Sequence, residues 1–93
     1  MFYRNKLTNL IIKYGRLCGE KNYTPRYSGN ISARYREGML ITTSGSSNGY
    51  LDKKDIVYTN FDGKSLETGK KPSSEKFLHI GIYNLRPDIN FIL

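Results

Sequence analysis

The sequence has 93 residues, which suffice for one small domain and argue against a large enclosed active site within this chain. Apolar residues make up 38% and charged residues 25%, a globular composition, and no window approaches the ~20 apolar residues of a membrane span. The single cysteine excludes an internal disulfide and a cysteine cluster for zinc. We expect a cytoplasmic protein, because the N-terminus lacks the apolar core and the cleavage site of a signal peptide.

The net charge of +7 lies in the first third of the sequence. Residues 1–36 carry eight Lys or Arg and one Glu, whereas residues 37–93 carry seven charges of each sign. A basic third is compatible with nucleic-acid binding, with an anionic small molecule, or with the solvated face of a helix. No known nucleic-acid-binding motif is present, so we expect neither a nucleic-acid nor a membrane partner, and the anionic small molecule and the solvated helix face stay open as interpretations of the basic third.

The first predicted element is a helix from Asn5 to Glu20. Its apolar residues recur with a period of 3.6 and predict one buried stripe. That stripe consists of Leu7, Leu10, Ile11, Tyr14, Leu17 and Cys18. Within it, Cys18 is expected to behave as a small buried apolar residue. Gly19 is placed to help end the helix, and the turn residues of segment 22–29 predict a loop.

The middle of the sequence predicts a small sheet. Apolar residues alternate with polar ones over 31–36, which indicates a half-buried strand, and Glu37-Gly38 predicts a hairpin turn. The second strand of the hairpin is expected at 39–42. A third strand is predicted at 56–59, where β-branched and aromatic residues precede a turn. The turn and an optional short fourth strand are Asp62-Gly63 and 65–67.

A second helix is predicted near 74–86, with Ser73 as its cap and Glu75 in its first turn. Its apolar or closely packed face is expected to consist of Phe77, Leu78, Gly81, Ile82 and Leu85. The helix should end at Arg86-Pro87, and the apolar run 89–93 predicts a buried strand. The interspersed helices and strands indicate an α/β or α+β class with a mainly antiparallel sheet.

Three short segments rich in small polar residues fall at the ends of these elements. They are Ser28-Gly29-Asn30, Thr43-Ser44-Gly45 and Ser73-Ser74. Each offers hydroxyls, amides or backbone N–H groups, and the last lies at a helix N-terminus, where the dipole favours an anion. Any one of them is typical of a turn or a cap. Together they would form a phosphate pocket if the fold brought all three to one place.

Glu75 is the carboxylate beside these segments. It is a candidate general base or metal ligand, although a first-turn glutamate also serves simply to interact with the helix dipole. His79 lies on the same helix face at i, i+4, a spacing that could serve a metal. Catalytic zinc usually takes three protein ligands, and this chain has one His. The His79 side chain is therefore interpreted as a hydrogen-bonded core residue.

With these motifs the sequence resembles the N-terminal part of the class II aldolase and adducin family. The matching segments occur in family order over nearly the whole chain. They are GNIS at 29–32 with Arg34, LITTSG at 40–45, Leu51, Asp55 with Ile56-Val57, Asp62-Gly63, KPSSE at 71–75 with His79, and RPDINFIL at 86–93. The resemblance implies a three-layer fold in which residues 1–93 form the N-terminal part of a single domain, with its C-terminal half absent.

The resemblance also implies roles for individual residues. The substrate phosphate would be held by Gly29, Asn30, Ser44, Gly45, Ser73 and Ser74. Glu75 takes the position of the family's catalytic acid/base and occasional zinc ligand. In the family's aldolases, zinc polarises the ketose oxygen. Its histidine ligands would lie beyond residue 93, so we expect no tight zinc binding and no independent turnover, and His79 matches a position that is not a zinc ligand.

The function that the resemblance implies is that of a zinc-dependent aldolase, a lyase that cleaves a ketose 1-phosphate. Glu75 favours an aldolase over an epimerase. The alternatives are a fragment of a related epimerase or dehydratase, and a non-catalytic, adducin-like binding or assembly module. The resemblance implies a homotetramer, a ring of four subunits with active sites between them. The apolar strand at 89–93 is expected to be exposed and to promote association.

Overall fold

The computed structural model describes residues 2–20 and 30–93, so the loop predicted at 22–29 lies outside the described residues. The helices are α1 (Phe2–Glu20) and α2 (Lys76–Leu85). The strands are β1 (Ser32–Tyr35), β2 (Gly38–Thr42), β3 (Ile56–Asn60) and β4 (Phe91–Ile92). Two short 3₁₀ turns, Asn48–Tyr50 and Lys53–Asp55, connect β2 to β3. Neither described helix is long and apolar enough to cross a bilayer.

The four strands form one antiparallel sheet in the order β3-β2-β1-β4. Tyr35 pairs with Gly38 across the hairpin, so the turn consists of Arg36 and Glu37 rather than the predicted Glu37-Gly38. The left-handed backbone falls on Arg36, at φ 52°. Gly38 serves packing instead, because a Cβ there would overlap the carbonyl oxygen of Thr59.

The optional fourth strand at 65–67 does not form in the described structure. Ser65 makes only an isolated bridge to Thr59, next to β3. Beyond it, the Leu66 N–H donates to the Tyr58 carbonyl at 2.9 Å, and the Glu67 carboxylate accepts the Tyr58 N–H at 2.7 Å. The same carboxylate binds the Arg4 guanidinium of α1 at 2.6 Å. These contacts satisfy the edge of β3 without a further strand.

The helices cover opposite faces of the sheet and give the predicted three layers. On one face, Leu7 and Ile11 of α1 pack with apolar residues of β1, β2 and β3. On the other face, Ile80 and Tyr83 of α2 pack with Met39, Ile41 and Val57 of the sheet. Because both faces are covered, Ser32 of β1 is fully buried, so the expectation of a half-exposed strand was wrong at this residue.

The C-terminal half of α1 is less buried than its apolar period predicted. Tyr14 and Leu17 are about two-fifths exposed, and Cys18 is half-buried. This half of α1 packs against the 3₁₀ turn Asn48–Tyr50. Gly19 lies within the helix, where a Cβ would stand 2.7 Å from the Gly49 Cα, so it permits close backbone packing rather than helix termination.

The buried face of α2 differs from the predicted one. Phe77, Leu78 and Leu85 are more than half exposed, whereas the buried residues are His79, Ile80 and Tyr83. The polar atoms of His79 and Tyr83 have partners inside, which removes the cost of burying them.

The ends of α2 also differ from the sequence prediction. The helix begins at Lys76, with Glu75 rather than Ser73 at the cap position. At the other end, the Arg34 guanidinium binds the carbonyl oxygens of Tyr83 and Ile89 at 3.0 Å each. The strand predicted at 89–93 shortens to the two half-buried residues of β4, and Leu93 is exposed.

Candidate functional site

Backbone hydrogen bonds bring Asn30 and the other two polar segments towards one end of the sheet. Thr42, the last residue of β2, is the junction: its N–H donates to the Ile31 carbonyl at 3.1 Å, and its own carbonyl accepts the Ser73 N–H at 3.0 Å. Asn30, Ser44 and Ser74 each lie within two residues of this line. A second bond, from the Ser44 N–H to the Lys71 carbonyl at 2.8 Å, ties the middle segment to the third.

The middle segment is a tight turn. Both the N–H and the hydroxyl of Ser46 donate to the Thr43 carbonyl, at 3.2 and 2.8 Å. Gly45 has φ +80°, the left-handed conformation that the third position of a type II turn requires. A Cβ at Gly45 would meet nothing within 4 Å, so glycine is needed here for its backbone and not for space. Ser44 and Gly45 are exposed, and an external ligand can reach them.

The third segment leads directly into α2. Ser73 is buried, and its hydroxyl accepts the Glu75 N–H at 3.2 Å, which fixes the approach to the helix. Ser74 and Glu75 are exposed. The Glu75 carbonyl accepts the Leu78 N–H at 3.0 Å, while the Glu75 carboxylate has no hydrogen-bond partner among residues 2–20 and 30–93. Glu75 therefore presents a solvated carboxylate beside a hydroxyl at a helix N-terminus.

Asn30, in the first segment, is held by a buried line of polar side chains that sequence reasoning missed. Its Oδ1 lies 2.5 Å from Nε2 of His79. Nδ1 of His79 lies 2.6 Å from the Ser32 hydroxyl, which in turn lies 2.7 Å from the Tyr83 hydroxyl. The available signals were a polar Ser32 between Ile31 and Ala33, and the i, i+4 pairing of His79 with Tyr83.

The direction of this hydrogen-bond line follows from its acceptors. Asn30 Oδ1 can only accept, so His79 donates through Nε2. Burial lowers the pKa of His79 and keeps the ring neutral at pH 7, so Nδ1 accepts from the Ser32 hydroxyl. Ser32 has one hydroxyl proton and gives it to His79, so the Tyr83 hydroxyl, whose pKa burial raises to about 12, donates to Ser32. Both ring nitrogens of His79 and both hydroxyls thereby have hydrogen-bond partners.

The described residues do not fit a zinc site. No group of three or more His, Cys, Asp or Glu side chains within residues 2–20 and 30–93 could hold a metal ion. Both ring nitrogens of His79 are occupied by hydrogen bonds, so His79 and Glu75 do not form a ligand pair. Gly29, the remaining predicted phosphate contact, lies outside the described residues.

Comparison with known sequences identifies the family to which this chain belongs. Residues 9–93 match the family model of the class II aldolase and adducin N-terminal domain. The methylthioribulose-1-phosphate dehydratases of Azotobacter vinelandii and Pseudomonas paraeruginosa are 41% and 43% identical to the chain over 91 residues. Both alignments cover 97% of this chain and 44% of the relative, so the chain spans less than half the length of these relatives.

Solved structures show the same fold. An L-fuculose 1-phosphate aldolase superposes with a TM-score of 0.82 at 33% identity, over 92% of this chain and 42% of that chain. The structure of YgbL from Klebsiella pneumoniae superposes with a TM-score of 0.85 over 94% of this chain and 42% of that chain. At 24% identity, that second likeness concerns the fold alone.

Proposed function

Because the chain belongs to the class II aldolase and adducin family, we propose that its converging polar segments bind the phosphate group of a ketose 1-phosphate. The observation that carries this proposal is the hydrogen-bonded junction at Thr42, which brings the neighbours of Asn30, Ser44 and Ser74 together. The register of β1 and β2 places Asn30 and Ser44 at one end of the sheet, and the bond from Ser73 to Thr42 adds the start of α2 to them.

The chemistry of these segments suits a phosphate. The exposed turn at Ser44-Gly45 offers the Gly45 N–H and the Ser44 hydroxyl, Asn30 offers a carboxamide, and Ser74 offers a hydroxyl at the N-terminus of α2. Hydrogen bonds to an ionised oxygen are roughly twice as strong as neutral ones, and the helix dipole adds attraction for an anion. The exposed Lys71 beside the third segment contributes positive charge.

The reaction that we propose for this site is a dehydration. The dehydratase relatives are 41% and 43% identical to the chain, compared with 33% for the L-fuculose 1-phosphate aldolase structure. Loss of water from a ketose phosphate breaks one C–H bond next to the carbonyl and one C–O bond, and a positioned carboxylate can carry the proton. We assign that acid/base role to Glu75, whose carboxylate is exposed beside Ser74.

Aldol cleavage is the second candidate reaction. It is favoured by the likeness to an L-fuculose 1-phosphate aldolase, whereas Glu75 favours aldol cleavage only over epimerisation. The two candidates share the phosphate contacts and the role of Glu75 as the group that moves a proton. They differ in the bond that breaks, C–O for the dehydratase and C–C for the aldolase.

This chain alone is expected to bind the phosphate without turning the substrate over. Its described residues contain no metal cluster, and it covers 44% of the dehydratase relatives' length. We therefore propose that residues 1–93 are the N-terminal, phosphate-binding part of the domain. The rest of the active site, including any zinc ligands, would come from a further part of such a domain.

The test is a titration of the ¹⁵N-labelled chain with inorganic phosphate and with ribulose 1-phosphate, followed by NMR. We expect the amide signals of Gly45 and Ser74 to shift with both ligands. Ser74→Asp, which places a negative charge in the site, should weaken binding of either ligand at least tenfold, about 1.4 kcal/mol.

The matched control is Asn84→Asp, which adds the same charge at an exposed position near the other end of α2. It should change the dissociation constant by less than about twofold, because charges separated by more than a Debye length are largely screened. Equal affinities of Ser74→Asp and the unsubstituted chain would contradict the proposed site.

A further inference from the structure

We propose that His79 is a positioning residue, which orients the Asn30 carboxamide so that its N–H donors serve the phosphate. This inference rests on the proposed function, because it concerns the same anion site. It assigns to His79 neither metal binding nor proton transfer to the substrate. The residue acts only through Asn30.

The geometry fixes one end of the carboxamide. His79 is buried and held by the Ser32 hydroxyl at 2.6 Å on Nδ1, so its Nε2 is the atom that meets Asn30 Oδ1. The Tyr83 hydroxyl, 2.7 Å from Ser32, completes the line at its far end. Ser32 is fully buried, so the line is anchored between β1 and α2 and not in solvent.

The orientation of Asn30 matters because its two polar atoms have opposite effects on an anion. Oδ1 carries lone pairs that a phosphate repels, whereas Nδ2 carries two donors that a phosphate attracts. Rotation of the amide by about half a turn about its last side-chain torsion exchanges them, and that torsion is broad and roughly two-fold. With Oδ1 bound to His79, Nδ2 is the side of the amide that remains for a ligand.

A contribution to protein stability explains this line of residues less well than the positioning of Asn30 does. A hydrogen bond between buried neutral groups contributes little net stability, and apolar side chains of similar shape can replace such a pair at small cost. The inner face of α2 nevertheless carries His79 and Tyr83, while the apolar Phe77 and Leu78 of the same helix lie exposed. The buried line ends at a half-buried residue of the candidate site. That placement is the expected one if its role is to hold Asn30.

The experiment is a double-mutant cycle on phosphate affinity, measured by NMR titration. His79→Phe keeps an aromatic ring and removes the donor to Asn30, and we expect it to weaken phosphate binding about tenfold. His79→Gln retains an amide donor near the position of Nε2, and we expect it to restore affinity to within about threefold. In an Asn30→Ala background, His79→Phe should have no further effect, because two residues that act as one unit do not contribute additively. A merely structural His79 would weaken both backgrounds equally.

Ile80→Val is the control for stability alone, since Ile80 lies on the buried face of α2 outside the line. It should lower the stability of the fold and leave phosphate affinity unchanged. Loss of affinity in Ile80→Val comparable to that in His79→Phe would overturn the positioning role.

A second measurement keeps the inference testable if His79→Phe does not fold. His79 is the single histidine, so the ¹⁵N ring signals of the unsubstituted chain come from it alone and report which of its nitrogens carries the proton. We expect the proton on Nε2, and a ring protonated only on Nδ1 would overturn the inference. If Ser74→Asp weakens phosphate binding and His79→Phe does not, the positioning role fails while the proposed function stands. If the unsubstituted chain binds no phosphate, both fail.

Discussion

The two faces of the sheet are filled with different chemistry. The face under α1 is packed with apolar side chains, among them Ile11, Leu40 and Ile56, which are almost completely buried. The face under α2 contains apolar residues too, but it also encloses Ser32 and the His79 ring. Apolar burial contributes directly to stability, whereas buried hydrogen bonds contribute little net. The α1 face therefore stabilises the fold, and the α2 face gives up part of that stabilisation to hold Asn30.

The largest effect that separates the two faces is expected from Ile11→Ala. Ile11 is fully buried against the sheet, and truncation of such a residue costs about 2–5 kcal/mol through lost apolar burial and the cavity left behind. Urea denaturation measures the loss. Phosphate affinity, measured on the fraction that remains folded, should be unchanged, because Ile11 packs on the face of the sheet opposite to α2 and His79.

Leu17→Ala is the control on the same helix. Leu17 is about two-fifths exposed, so its truncation should destabilise the chain by less than about 1 kcal/mol. If the two substitutions cost the same, the α1 face is not the stabilising core that its packing indicates.

Sequence periodicity located the elements of both faces but not the orientation of α2. The stripe at Leu7 and Ile11 was predictable because only one side of that part of α1 is apolar. In α2, apolar residues occur all around the helix, from Phe77 to Leu85, so periodicity alone could not select the buried side. The buried side of α2 is the one whose His79 contacts Ser32. These two residues are 47 positions apart, so local sequence could not predict the contact.

The candidate site was predictable to a similar extent. Segments rich in Gly, Ser and Asn can be recognised locally, and these led to Asn30, Ser44 and Ser74 as candidates. Their convergence depends on Thr42, whose bonds to Ile31 and Ser73 join separate parts of the chain. The contact between His79 and Asn30 spans 49 positions, and no spacing rule connects them. Strand pairing and side-chain networks of this kind become visible only in the folded chain.

The second prediction concerns pH and tests the polar face alone. Burial lowers the pKa of His79 below its usual value of 6.5, so the unfolded chain binds a proton more readily than the folded one. The neutral His79 ring makes its full contribution to the free energy of unfolding above pH 6.5. That contribution is lost as the pH falls towards the pKa of His79 in the folded chain. We expect a loss of at most about 1.4 kcal/mol per pH unit from this group, measured by urea denaturation between pH 7.5 and 5.

His79→Gln serves as the control for this titration, because it removes the chain's single imidazole. The variant should lose the part of the pH dependence that begins near pH 6.5 and keep whatever carboxylates contribute at lower pH. An unchanged slope between pH 7 and 6 in this variant would show that the ring does not stay neutral on folding.

The smallest effect, and one of opposite sign, is expected from Thr59→Val in β3. Thr59 is fully buried on the α2 face opposite Met39, and its hydroxyl has no hydrogen-bond partner among the described residues. Valine has nearly the same shape, suits a strand, and removes the unpaired hydroxyl. We therefore expect stabilisation by up to about 1 kcal/mol, seen as a higher urea midpoint with an unchanged slope.

The matched comparison is Thr42→Val in the neighbouring strand β2. Thr42 is equally buried, but its hydroxyl accepts the Ile31 N–H at 3.3 Å, so valine there leaves a buried donor unpaired and should cost about 1–3 kcal/mol. It should also weaken phosphate binding, because the bond lost lies at the junction next to Asn30. Two threonines with the same burial thus separate the cost of an unpaired hydroxyl from the value of a paired one. If Thr59→Val destabilised the chain as much as Thr42→Val, the Thr59 hydroxyl would have a partner after all, and the α2 face would be better satisfied than its described contacts indicate.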